Sequence, residues 1–68
     1  MDNFGKRLQQ LRVEKGYTQT VLAKRLGLSV DAVRHWEQGR RTPNLNILIT
    51  IANYFGVTVG QLVGTEEL

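Results

Sequence analysis

The 68-residue sequence has no cysteine, one histidine, one proline and one tryptophan. Without cysteine there can be no disulfide, no thiolate metal ligand and no cysteine nucleophile. His35 has no second histidine to share a metal with, and no nucleophile stands at an interpretable spacing from a base. No cofactor is expected, and neither is an enzyme. Long apolar runs are also missing: no stretch reaches the roughly 20 residues that span a bilayer, and the N-terminus does not resemble a secretory signal. The cytoplasm is the expected compartment. Residues 1–68 have room for one domain with one modest core, which leaves little space for a substrate pocket.

Acidic residues are scarce in the body of the chain. Nine Lys or Arg stand against six Asp or Glu, and of those six Asp2, Glu66 and Glu67 lie at the ends. Residues 3–65 hold all nine basic residues against Glu14, Asp31 and Glu37, an excess of six positive charges. A basic body of this kind favours polyanions as partners.

What the chain does have is helical periodicity. Phe4, Leu8 and Leu11 recur at i, i+4 and i+7 and predict an amphipathic helix over about 3–15, ended by Gly16. Thr18 can cap a second helix over 19–26, with Leu22, Ala23 and Leu26 inward and Gly27 at its end. Ser29 can cap a third over 30–37, with Val33 and Trp36 inward. After a basic turn at 40–43, Leu45, Leu48, Ile51, Ala52 and Phe55 mark a fourth helix closed by Gly56. A short fifth helix over 59–63 follows Thr58, weakened by Gly60, and 64–68 is expected to fray. The fold class is therefore all-α: a single domain of five short helices, with an ordered core over about 3–63.

Two short helices joined across Gly27 by about three residues have the spacing of a helix-turn-helix, whose second helix can enter a DNA major groove. With Val33 and Trp36 turned inward, about 100° per residue leaves Val30, Asp31, Arg34, His35 and Gln38 facing out. Arg34 can pair with guanine, Asp31 can accept from the cytosine amino group, His35 can donate or accept at a base edge, and Val30 can pack on a thymine methyl. Each has a plainer use as well. Asp31 also suits the positive end of the helix dipole, and His35 can simply face solvent. Lys24 and Arg25 read first as solubilising charges, and Tyr17 and Trp36 as core residues before stacking platforms. Lys6 and Arg7 do not indicate a membrane surface, because the apolar face beside them is needed by the core.

The spaced features Thr18-Gln19, Leu22-Ala23, Gly27, Ser29, Val33, Trp36-Glu37, Gly39-Arg40, Pro43, Leu48, Ile51-Ala52, Phe55-Gly56-Val57 and Leu62 resemble the Cro/repressor-type helix-turn-helix domain, the XRE family of phage and bacterial regulators. The resemblance covers residues 4–63 and implies a lambda-repressor-like fold. It implies a phosphate contact for Gln19, at the start of the second helix, and for Arg40 and Arg41 in the loop after the third; Gln38 is assigned to the DNA backbone with them. It further implies a structural ion pair between Arg12 and Glu37. Val30 and Asp31 stand where relatives often carry polar base-reading side chains, so base preference stays open.

The expected function is sequence-specific binding of double-stranded DNA by a transcriptional regulator, of the phage or mobile-element repressor type. The alternative is an antitoxin-like module that binds DNA and a protein partner. A homodimer on a palindromic operator is expected, with Ile47, Ile49, Val59, Val63 and Leu68 as the apolar surplus available for pairing.

Overall fold

Four of the five helices begin where a side-chain oxygen takes over the hydrogen bond that a preceding turn would have made. The computed structural model describes residues 3–68; Asp2 lies outside the described residues. The elements are α1 (Phe4–Glu14), α2 (Gln19–Leu26), α3 (Val30–Glu37), α4 (Leu45–Phe55) and α5 (Val59–Val63). Thr18 Oγ1 accepts from the Val21 amide, Ser29 Oγ from Ala32, Asn44 Oδ1 from Ile47 and Thr58 Oγ1 from Gln61. Each such cap supplies a partner for one orphan N–H and is worth about 1 kcal/mol. α1 has no side-chain cap and is one residue shorter at each end than its periodicity suggests.

The helices share one core. Phe4, Leu8 and Leu11 from α1 meet Leu22 and Ala23, Val33 and Trp36, Leu48, Ile51 and Ala52, and Leu62 from the other four. The Phe4 and Trp36 rings meet edge to face with centroids 6.4 Å apart. Burying one such side chain contributes about 1.5 to 3 kcal/mol, so a domain this size depends on nearly all of them. α3 lies against α1 and α2, while α5 bridges α1 and α4. The turn between α2 and α3 is only three residues long because Gly27 takes a left-handed conformation at φ +70°, which a side chain would oppose. Leu28 then donates its N–H back to Ala23 and packs on the core.

α1 reaches α3 at a distance that only glycine permits. A Cβ on Gly5 would stand 2.6 Å from the Trp36 carbonyl oxygen and 2.9 Å from that of Glu37. Both neighbours are backbone atoms at the end of α3, so neither can turn aside.

The C-terminal end holds contacts that its pattern does not show. Thr58 caps α5, and the Thr58–Gln61 pair forms a full capping box, with Gln61 Oε1 accepting from the Thr58 amide at 3.0 Å. Residues 64–68 lie beyond α5 and touch it. The Gly60 carbonyl accepts from the amides of Gly64, Thr65 and Glu66, and Arg7 Nη1 donates to the Gln61 carbonyl at 2.8 Å and to the Glu66 carbonyl. The carbonyls left over at the end of a helix attract these donors and the cation. Ile47, Val59 and Val63 are also less free than expected, since all three pack in part against the core; Ile49, Leu68 and Leu45 remain exposed.

One ion pair ties α1 to α3. Arg12 Nε donates to Glu37 Oε2 at 2.7 Å and Nη2 to Oε1 at 3.0 Å, with the side chains only 12% and 5% exposed. Arg12 Nη1 donates to the Tyr17 carbonyl at 2.7 Å, and Gln19 Nε2 gives Glu37 Oε1 a further hydrogen bond at 3.1 Å. The bond to Glu37 holds the Arg12 guanidinium above its already high ordinary pKa.

Two stability measurements follow. Gly5→Ala should cost about 1 to 3 kcal/mol in urea or thermal unfolding, as overpacking does. Gly60→Ala should cost less, because its added methyl meets only the movable Glu66 carboxylate. Glu37→Ala should cost about 3 kcal/mol or more by leaving Arg12 without its partner. A double-mutant cycle with Arg12→Ala should show strong coupling, and additive losses would rule the interaction out.

Candidate nucleic-acid interface

Val33 and Trp36 are pinned in the core, and that fixes which ribbon of α3 faces away from the body. Val30, Asp31, Arg34 and Gln38 are exposed on it. Asp31 and Arg34 are not independent. One Arg34 amino group pairs with Asp31 Oδ1 at the i, i+3 spacing, and both side chains stay open to solvent at 49% for Arg34 and 68% for Asp31. A pair this exposed is worth under about 1 kcal/mol, so a better acceptor can take the guanidinium from it. Arg34 has five N–H donors and can keep Asp31 while presenting the rest elsewhere.

His35 departs from the expected outward position. It is half-buried, and its Nδ1 is enclosed without a hydrogen-bond partner. Helical angle alone does not separate it from Arg34, since each lies one step, about 100°, from an inward residue; the difference is the enclosure of the His35 ring by its surroundings. Only its outer edge is available to a ligand.

Gln19 is half-buried at the first position of α2 and spends one amide hydrogen on Glu37. The second amide hydrogen remains, held in a fixed direction by that bond. Gln38, Arg40 and Arg41 are exposed at and after the end of α3. Among the described residues none of their side chains makes an internal hydrogen bond or ion pair. The interface candidates therefore divide in two: a ribbon on α3, and a flank formed by Gln19 with the α3–α4 loop.

Arg25 is engaged within the protein, with its guanidinium carbon 5.4 Å from the centroid of the Tyr17 ring. Tyr17 packs against the core and shares a 3.0 Å hydroxyl–hydroxyl hydrogen bond with Tyr54. That bond holds Tyr17 below the ordinary tyrosine pKa and Tyr54 above it. Trp36 is buried, so neither ring is a free stacking platform.

Charge is unevenly placed along the elements. Every Lys and Arg falls between Lys6 and Arg41, whereas residues 42–65, which include all of α4 and α5, contain no charged residue. Among the described residues no group of His, Asp and Glu could hold a metal ion, and no helix is long and apolar enough to cross a membrane.

Sequence reasoning missed two parts of this site. The Asp31–Arg34 pair was legible in the i, i+3 spacing of opposite charges. The bond from Gln19 to Glu37 had no local signal, since it joins the starts and ends of different helices.

Comparison with known proteins adds a match over most of the chain. The family model described as helix-turn-helix matches residues 8–62. The chain is 43% identical over 65 residues to the HTH-type transcriptional activator BcrR of Enterococcus faecalis, which covers 96% of this chain and 32% of that protein. It is 30% identical over 66 residues to the HTH-type transcriptional regulator ImmR of Bacillus subtilis, covering 97% of this chain and 52% of that one. It is 34% identical over 64 residues to the uncharacterized HTH-type transcriptional regulator YazB of Bacillus subtilis, covering 94% and 93%. The chain thus spans about a third of the first relative, about half of the second and nearly all of the third. Two eight-residue helices joined by a three-residue turn, set in a five-helix core and matched over residues 8–62, place the chain in the Cro/repressor-type (XRE) helix-turn-helix family.

Proposed function

We propose that the chain binds double-stranded DNA in a sequence-specific way and regulates transcription, with α3 in the major groove and without catalysis of its own. The observation that carries this reading is the α3 ribbon. Val33 and Trp36 hold the helix down, while Val30 and the Asp31–Arg34 pair are exposed on its opposite side with chemistry suited to base edges. The relatives described above are named as transcriptional regulators, which agrees with that use.

Within this reading Arg34 donates to guanine, Asp31 accepts from Arg34 or from a cytosine amino group, and Val30 meets a thymine methyl. The outer edge of His35 is the fourth base contact. Gln19, Gln38, Arg40 and Arg41 meet phosphates, where they supply affinity and register. Repression by occupancy asks nothing more of a domain than this, and it is the direction we assign, in a phage-type or mobile-element controller. The cytoplasm is the compartment that such a role requires.

Two copies on a palindromic site would place two α3 helices about one DNA turn apart. Exposed Leu45 and Ile49 support a pairing surface on α4, an uncharged element where two basic domains can approach with least repulsion, and exposed Leu68 adds an apolar residue at the C-terminal end. Sedimentation with a selected palindromic duplex should give two chains per duplex; a single chain per duplex at micromolar protein would overturn the dimer.

Arg34 and Arg41 separate base reading from simple charge. Arg34→Ala should cost about 1 to 3 kcal/mol on the preferred site, found by selection from a random duplex pool, and should relax preference at one base pair. Arg41→Ala should weaken preferred and scrambled duplexes alike and lower the salt slope by about 1. Equal losses on both duplexes for Arg34→Ala would show that α3 does not read bases through that residue.

A further inference from the structure

An open groove of about 450 Å³ runs between the first turn of α1 and the segment that follows α3. Phe4, Gly5 and Lys6 form one wall, and Trp36 to Gly39 with Arg41 and Thr42 form the other. Its polar rim consists almost wholly of donors that the protein does not use. The side chains of Lys6, Gln38, Arg41 and Thr42 make no internal hydrogen bond or ion pair among the described residues. The one carboxylate in the lining, Glu37, is already taken by two donors of Arg12 and one of Gln19. Two uncompensated cations lining the same groove, with an amide and a hydroxyl beside them, suit an oxygen-rich anion.

We infer that this groove seats a phosphate of the DNA backbone, with Lys6 as a contact from α1 together with Arg41. The inference rests on the DNA-binding reading above and extends its footprint to a helix that carries none of the residues assigned there. Shape favours a strand over a small molecule: the groove is open, so a polymer backbone can lie along it, whereas a small anion would remain largely in water. Its second wall is the α3–α4 connection already assigned to the backbone. Lys6 falls outside residues 8–62, the span that the family model matches. Gly5 has a part in the geometry, since the absence of a side chain lets the Lys6 turn lie directly against the end of α3.

The test uses the full chain and a duplex of arbitrary sequence, because phosphate contacts do not require the operator. Affinity is measured against salt for the wild type, Lys6→Gln, Arg41→Gln and the double variant, with Lys24→Gln as an exposed control. Lys6→Gln should reduce the magnitude of the log affinity versus log salt slope by about 0.9, and the double variant by about twice that. The affinity lost between about 50 and 200 mM salt then shrinks by roughly threefold for the single variant. Lys6→Arg should restore the wild-type slope, and thermal midpoints should not move, which separates contact from folding. If Lys6→Gln keeps the wild-type slope while Arg41→Gln lowers it, the groove does not hold a DNA phosphate although the interface stands. If the wild type shows no salt-dependent duplex binding, the DNA-binding reading itself fails. An NMR titration with inorganic phosphate at constant ionic strength completes the set: saturable shifts at Gly5 and Gly39, with duplex binding indifferent to Lys6, would reassign the groove to a free anion and overturn the proposal.

Discussion

The Arg12 guanidinium joins three segments of the chain by polar bonds. It grips Glu37 at the end of α3 with two donors and the Tyr17 carbonyl with a third, so α1, the turn before α2 and α3 share a single planar cation. Gln19, the first residue of α2, adds to the same carboxylate. A planar fork with fixed donor directions sets angles as well as distances, which a lysine in its place would not do. Val33 and Trp36 set which side of α3 faces the body, and the network at its C-terminal end anchors that end of the helix to α1 and α2.

Most of the architecture was legible because the chain punctuates its helices chemically. Thr18, Ser29 and Thr58 mark starts and Gly27 and Gly56 mark ends, so α2 to α5 fall where the pattern puts them. The departures have a common cause. Gly60 lowers the helical propensity of α5, but Gln61, three residues after Thr58, completes a capping box there, and the donors of the following tail meet the carbonyls at the end of α5. Ile47, Val59 and Val63 are partly covered because a helical projection does not say how far a neighbouring helix wraps around. The closeness of α1 to α3 at Gly5 is an interhelical distance, and no periodicity encodes it.

The site was legible as a set of residues and less so as a set of relations. Outward projection on α3 follows from the positions of Val33 and Trp36, but pairing within the ribbon and enclosure at its flank do not. Asp31 and Arg34 engage one another, and His35 turns one nitrogen into the protein. The ribbon is consequently narrower and more preorganised than five free side chains would be. Ordering a side chain before its ligand arrives lowers the entropy lost on binding, and the weak ion pair achieves this without locking Arg34 away.

The uneven placement of charge gives the molecule a direction. Every cation lies between Lys6 and Arg41 and α4 and α5 contribute none, while Glu66 and Glu67, which follow α5, carry the opposite sign. A field that acts unevenly on a body exerts a torque, so tumbling encounters with a polyanion are turned toward the cationic segments before contact, and many of the misoriented collisions that slow unsteered association are avoided.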